Sequence, residues 1–365
     1  KRFCYSSGIH CPLVVRVPEK FKYLYPANRP GEVLERLVSF VDMPKTWLSL
    51  AGAEIPDTFQ GTVFLGKGIE KEPAYHLAFR ERADERLDCV RVIRDKRYAY
   101  HKNYMPYAPA GQHLAYLWKA EATPAWEQHH REGKTDEITG RFFEPRVSEE
   151  FFDNEKDFDN VHNLIEAKKH QERIAKLKNA LRQRQLELYD SGLLPEQMRV
   201  RRAKENGLTI YDMVRDEKLY PLATYLDAAD LALARDKSNR DIFVRHLSHD
   251  DEGLRWWGIV GLHLLDQEAA PATAALEVAL SDDAHEIRMM AAWTLVKLGK
   301  PNEAIACLDD LLFGTCNNED MLHNVLEWMG EPGLPLVKKY IENDGNRQGR
   351  YGIGILGRIA ELNGW

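Results

Sequence analysis

The chain has 365 residues, 44% of them hydrophobic and 29% charged, with a formal charge of −7. That length allows a substantial core and two or three domains, and the acidic balance argues against nucleic acid or a membrane surface as the main partner. No apolar run approaches the roughly 20 residues needed to span a bilayer. Five cysteines without CxxC spacing (Cys4, Cys11, Cys89, Cys307, Cys316) support neither a zinc site nor a disulfide framework.

The chain opens on KRFCYSSGIHCPLVVRVP, where Cys11 to Val17 reads as a short apolar strand stopped by Pro18. It starts at Lys1 rather than a methionine and shows no leader, so a fragment or processed product is expected and the localisation signal goes unread. Taken alone, Lys1 is a frayed, solvated terminal lysine. His10 is either a turn residue satisfying carbonyls or a group that hydrogen-bonds a substrate. Farther on, Val38, Phe40 and Val41 suggest a strand end. Asp42 then opens a helix with Pro44 in its first turn, and Gly52 closes it.

Tyr75 to Pro106 is the stretch the rest is arranged around. Tyr75, Leu77 and Phe79 alternate at period two, and so do Val90 and Val92, with Tyr98 and Tyr100 beyond the turn at Asp95-Lys96, which predicts two antiparallel strands. Between them RERADERLD packs Arg80, Arg82 and Arg86 among Asp84, Glu85 and Asp88. One reading is a solvated, mutually neutralising rim; the other is a set of arginines that place an anionic substrate.

Pro106 to Pro145 is rich in aromatic and histidine residues, among them His113, Tyr116, Trp118, Trp126, His129 and His130. They read either as packing for an extended cover or as a platform for sugar faces. Adjacent His129 and His130 do not share a helical face, so a metal pair is not expected. Asp153, Asp157 and Asp159 lack calcium-loop spacing and read as solvated turn carboxylates. Glu166 to Tyr189 is a charged helix with Ile174, Leu177, Leu181, Leu186 and Leu188 as its stripe, ended by Gly192 and Pro195. Helical repetition follows. Leu247-Ser-His-Asp, Leu254-Arg255, Leu262 and Leu265 return 33 residues later at Leu280-Ser-Asp-Asp, Ile287-Arg288, Leu295 and Leu298, a period similar to that of HEAT-like helix pairs. A degenerate third copy lies around 317–330.

These blocks resemble the C-terminal part of the sulfatase family, the alkaline-phosphatase-like hydrolases of sulfate esters and sulfamates. The family pattern RDRxDERxDxVRxVRxxRYxYxxNYxP is similar to Arg80 through Pro106. KxxxYxxGxRxPLIVRxP is similar to Lys1 through Pro18, with Tyr5 and Gly8 in place and His10 where relatives often carry arginine. VSxVDLxPTLLxLAGxxxPxxxxGxSFL is similar to Val38 through Leu65, and EELYDLxxDPxExxNLA to Glu149 through Leu164, a resemblance by which Glu149 to Asp153 takes the place of an edge strand. The resemblance implies that Lys1 is the lysine that contacts the sulfate group, a catalytic role in charge stabilisation, and that His10, Arg80, Arg82 and Arg86 bind substrate. Asp42 takes an architectural role. The family's formylglycine, made from the cysteine of a CxPSR-type motif, and its calcium ligands are absent here and are expected upstream of Lys1. No metal site is expected within the chain, and the chain alone is expected to be inactive. Sulfated carbohydrate or another sulfate ester is the implied substrate, an N-terminal sulfatase segment the implied partner, and the periplasm or exterior the implied location. The His- and Trp-rich insertion resembles the sulfamidase, or heparan N-sulfatase-like, branch.

The expected fold class is α+β followed by all-α: a small antiparallel sheet packed with helices, then a short HEAT-like array. The expected divisions are 1–66, the end of a catalytic domain; 67–190, the subdomain with the sheet and its closing helix; 191–240, a connection; and 241–365, the repeats. The rival reading is a non-catalytic scaffold that works through the repeats, which calls for a charged or apolar stripe along their face.

Overall fold

The computed structural model describes residues 3–27, 29–344 and 354–364. Two compact units emerge, and both are discontinuous in sequence. The first holds Lys1–Phe79, Arg91–Lys102 and Glu149–Arg184; the second holds Arg80–Val90, Asn103–Ser148 and Gln185–Trp365. The fold class is the one expected: a four-stranded antiparallel sheet with helices, and helices for most of the remainder.

The first unit carries the sheet. Its strands are β1 (His76–Arg80), β2 (Val90–Arg94), β3 (Tyr98–Asn103) and β4 (Glu149–Asp153), in the order β1-β2-β3-β4. Where alternation predicted two strands before Pro106 there are three. The cause is local: one carboxylate oxygen of Asp95 accepts the backbone N–H of Arg97 at 2.8 Å and of Tyr98 at 2.6 Å, which folds the chain back between β2 and β3. β4 pairs antiparallel with β3 and is the edge strand, as expected, in a register that sets His101 opposite Glu150 and Tyr98 opposite Asp153. Phe79 faces outward under the Arg91 guanidinium, 5.7 Å from its ring centre.

On one face of this sheet lies the helix Gln171–Leu188. Ile174, Leu177 and Leu181 recur at helical spacing and pack with Ile93, Tyr100 and Phe151 in a small core. Polar contacts frame it: Tyr100 Oη and Lys178 Nζ each donate to Glu149 at 2.6 Å. Of the turn carboxylates expected to be solvated, Asp159 is exposed, whereas Asp153 and Asp157 are engaged. Asp153 is buried in a bidentate pair with Arg97 at 2.9 and 2.7 Å, which holds its carboxyl below the usual range, and Asp157 accepts the backbone N–H of Val161 and His162.

Earlier in the same unit the helix Asp42–Ala51 starts and stops as read, closed by Gly52 at φ 67°. Buried Asp42 accepts the N–H of Ser39 and of Thr62, each at 2.7 Å, and Thr46 Oγ1 accepts that of Phe64 at 3.2 Å. These bonds tie both ends of a 20-residue excursion to one helix, an architectural task. The apolar segments read as strands near 11–17 and 38–41 run without strand pairing among the described residues. Val14 is 92% exposed, Val33 84% and Phe40 72%. An extended segment becomes a strand only when a neighbour takes its N–H and C=O groups.

The second unit is helical. Residues 191–240, read as a connection, hold the helices Glu196–Glu205 and Leu222–Leu233, whose Met198, Leu222, Tyr225 and Leu226 join the large core. LATYLDAADLALA is so uniformly small and apolar that periodicity is hidden in it. The repeat is plain: Arg240–Leu247 and Glu252–Leu264 return as Thr273–Ala279 and His285–Lys297, 33 residues on (240 to 273, 252 to 285). Arg255 pairs with Asp282 and Arg288 with Asp310, each across to the next copy.

Candidate functional site

In the first unit the opening motif can be followed from Phe3 onward; Lys1 lies outside the described residues. Tyr5 is the anchor. Its ring stacks on His101 at 5.2 Å and meets the edge of Phe152, and its hydroxyl stands 3.2 and 3.1 Å from the two carboxylate oxygens of Glu150. His101 and Glu150 are the facing pair of the β3–β4 ladder, so the sheet register itself builds the seat for Tyr5. Burial pushes the His101 imidazole down to about 3, with the Arg94 charge acting in the same direction, so the ring is neutral at physiological pH.

The next residues are held just as closely. The Ser6 N–H donates to Asn160 Oδ1 at 2.7 Å, and Asn160 Nδ2 donates to Asn154. Asn160 is fully enclosed at φ 55°, a conformation asparagine tolerates well. Gly8 is required: a Cβ there would lie 1.9 Å from the carbonyl oxygen of Phe3. His10 follows, exposed, with its ring tilted against Phe158 at 5.4 Å. Of the expected site residues, His10 is the open one in this unit. Tyr5, His101 and Glu150 escaped sequence reasoning as a group, because the signal that unites them is a strand register across 48 intervening residues.

Among the described residues the arginine-dense loop belongs to the second unit, and its charges are spent internally. Arg80 Nε lies 2.9 Å from Asp88, whose other oxygen takes Arg146 at 2.6 Å; all three side chains are buried. Arg146 also donates to the carbonyls of Ala108 and Met105. Arg82 forks onto Glu196 at 2.5 and 3.1 Å and caps the Asp84 carbonyl at 2.7 Å, and the bond to Glu196 raises its guanidinium pKa. Arg86 is wholly enclosed. It is bidentate to Glu327 and donates its Nε–H to the His113 carbonyl. Glu81 takes Arg199 at 3.0 Å, and the Glu85 carbonyl takes Asn324 at 2.9 Å. Where the sequence offered a solvated rim or a substrate clamp, the structure pairs the loop's charges within the helical unit, with Arg80 and Arg86 enclosed and Arg82 partly exposed on Glu196. Arg82, partly exposed, keeps an accessible edge.

The aromatic insertion is mostly self-packed. Trp126 stacks on Phe142 at 4.6 Å and His130 on Phe143 at 4.9 Å, while Tyr116 stays exposed. Among the described residues no three His, Cys, Asp or Glu side chains converge as a metal site.

Residues 1–107 match the family profile described as N-sulphoglucosamine sulphohydrolase, C-terminal. This stretch is sulfatase-like, and what it matches is the C-terminal part of such an enzyme. A relative described as an ulvan-active sulfatase, from Formosa agariphila, is 32% identical over 201 residues, 54% of this chain and 32% of its own length. A second ulvan-active sulfatase of that organism is 29% identical over 103 residues, 27% of this chain and 19% of its own. The chain thus spans a third or less of the curated relatives it matches. Within the sulfatase-like stretch, Tyr5, Gly8 and Asp42 all have structural work in the geometry above.

Proposed function

We propose that this chain is the C-terminal portion of a sulfatase that hydrolyses sulfate esters or sulfamates of a sulfated sugar, with its formylglycine nucleophile on polypeptide that precedes Lys1. The observation that carries this is the exposed apolar band of residues 13–41 inside the sulfatase-like stretch: unpaired extended segments bearing Val14, Val33 and Phe40 in water, which suit strands of a larger sheet. In this reading the calcium ion and the formylglycine both belong to the companion segment, where they would supply the electrophile-activating charge and the nucleophile. This chain's share is placement. Tyr5, seated on His101 and Glu150, fixes the backbone four residues after Lys1; the Lys1 ammonium offsets charge gathering on the sulfuryl oxygens, and His10 and the open edge of Arg82 orient the substrate. Arg80 and Arg86 act indirectly, by holding the loop that carries Arg82.

The His- and Trp-rich insertion favours the sulfamidase-like branch for the bond cleaved. The helix pairs, with Arg255 to Asp282 and Arg288 to Asp310 between successive copies, favour a HEAT-like array whose task is to clamp the arginine loop through Glu327 and Asn324. In this reading the enzyme works in the periplasm or outside the cell; no helix among the described residues is long and apolar enough to cross a membrane.

The test is Lys1→Ala in the complete gene product. Loss of a fixed donor to the developing charge predicts a fall in kcat of about 10²–10³ with KM changed far less. An unchanged kcat on a sulfated glucosamine and on an aryl sulfate refutes the role of Lys1.

A further inference from the structure

None of the residues expected to touch substrate lines a further cleft among the described residues. It has a volume of about 480 Å³ and opens in the first unit beside the β2–β3 turn. Lys96 and Arg97 enter it from that turn and Arg173 from the first turns of the helix Gln171–Leu188. The two guanidinium groups are ordered by Tyr98, whose ring centre lies 4.9 Å from the Arg97 Cζ and 5.0 Å from the Arg173 Cζ. The acidic residues in the wall are already engaged. Asp95 takes two backbone N–H groups and Arg173, and Glu72 takes the Leu37 N–H and Lys96. The cations keep capacity: Arg173 gives one N–H to Asp95 at 3.2 Å out of the five of its fork, and Lys96 one contact to Glu72 at 3.1 Å out of its three. Half-exposed, all three remain in reach of solvent.

We propose that this cleft binds the sulfate group of a sulfated sugar unit, gripped by Arg173 and Lys96, with Arg97 locked on Asp153 as the fixed wall. The choice of sulfate among oxyanions rests on the sulfatase reading; the site itself rests on the cleft. Planar guanidinium forks match tetrahedral oxyanions at two oxygens, and a lysine ammonium adds a point charge. Arg97 turns both Nε and one Nη toward Asp153, so it shapes the cleft more than it donates into it.

The test is isothermal titration of the full chain with sulfated dextran, with unsulfated dextran and polygalacturonate alongside. Arg173→Gln combined with Lys96→Gln removes two surface charges and is expected to leave the melting temperature unchanged. The prediction is binding to sulfated dextran only, weakened at least tenfold by the double variant and by raised salt. Equal binding by the variant, no binding by the native chain, or equal affinity for polygalacturonate each overturns it. Titration reads binding without turnover, so a failed hydrolysis assay would leave this result standing, and lost binding with intact hydrolysis would overturn this proposal alone.

Discussion

Arg86 is a charged side chain with no exposure to solvent. Its guanidinium is fully enclosed and meets a carboxylate 241 residues away in sequence, with its third side on a backbone carbonyl. Breaking such a pair by removing one partner strands a buried charge. Arg86→Met is therefore expected to cost about 3 kcal/mol in urea unfolding, and Arg86→Met with Glu327→Met to recover most of that; an additive double variant contradicts the pairing. His101 offers a test in pH. Its folded pKa lies near 3, below the ordinary histidine value, so between those values the unfolded chain binds the extra proton. Stability from this group is full above about pH 6.5 and drains as pH falls toward 3, at up to about 1.4 kcal/mol per pH unit. His113, pushed down to about 4 mainly by burial, adds a loss of the same sign. Replacing His101 by Gln should flatten the stability–pH slope between pH 6 and 4 by about one proton, read from denaturation midpoints across that range. A slope identical to the native chain's refutes the buried neutral imidazole.

At the scale of elements, the close seams between helices decide stability. In the helix Glu252–Leu264, a Cβ on Gly258 would lie 2.8 Å from the His246 Cβ and 2.9 Å from the Phe243 carbonyl oxygen, and one on Gly261 2.7 Å from the Phe243 ring. Alanine raises helix propensity by about 1 kcal/mol over glycine, but the backbone contact at Gly258 cannot yield. Gly258→Ala is expected to destabilise by about 1–3 kcal/mol by overpacking, and thermal melting checks the sign. The elements that sequence made legible are those whose cause is local. The helix from Asp42 carries its own proline and glycine stops, the helix at 171 shows its Ile174-Leu177-Leu181 stripe, and the 33-residue period survives in plain residues. What stayed hidden depends on distant partners. Nothing near Arg86 announces Glu327, and nothing near Tyr5 announces His101 and Glu150. The helix Leu222–Leu233 was invisible because an apolar run has no period to read.

At the scale of the whole molecule, the two units have complementary economies of charge and surface. In the second, ionic groups that a sequence reader would assign to substrate are used to fix a loop inside a helical array. In the first, large apolar side chains that a closed fold would bury stay in water along residues 13–41. A folded chain seldom leaves extended, unpaired, apolar segments open unless something covers them, and in the proposed reading that cover is the sheet that carries the nucleophile. The most direct measurement is sulfate release, from a sulfated glucosamine and from an aryl sulfate, by this chain alone and by the complete gene product. Turnover by the complete product together with none by the chain alone is the predicted result. Turnover by the chain alone, or a gene product that contains no CxPSR-type segment before Lys1, would contradict it.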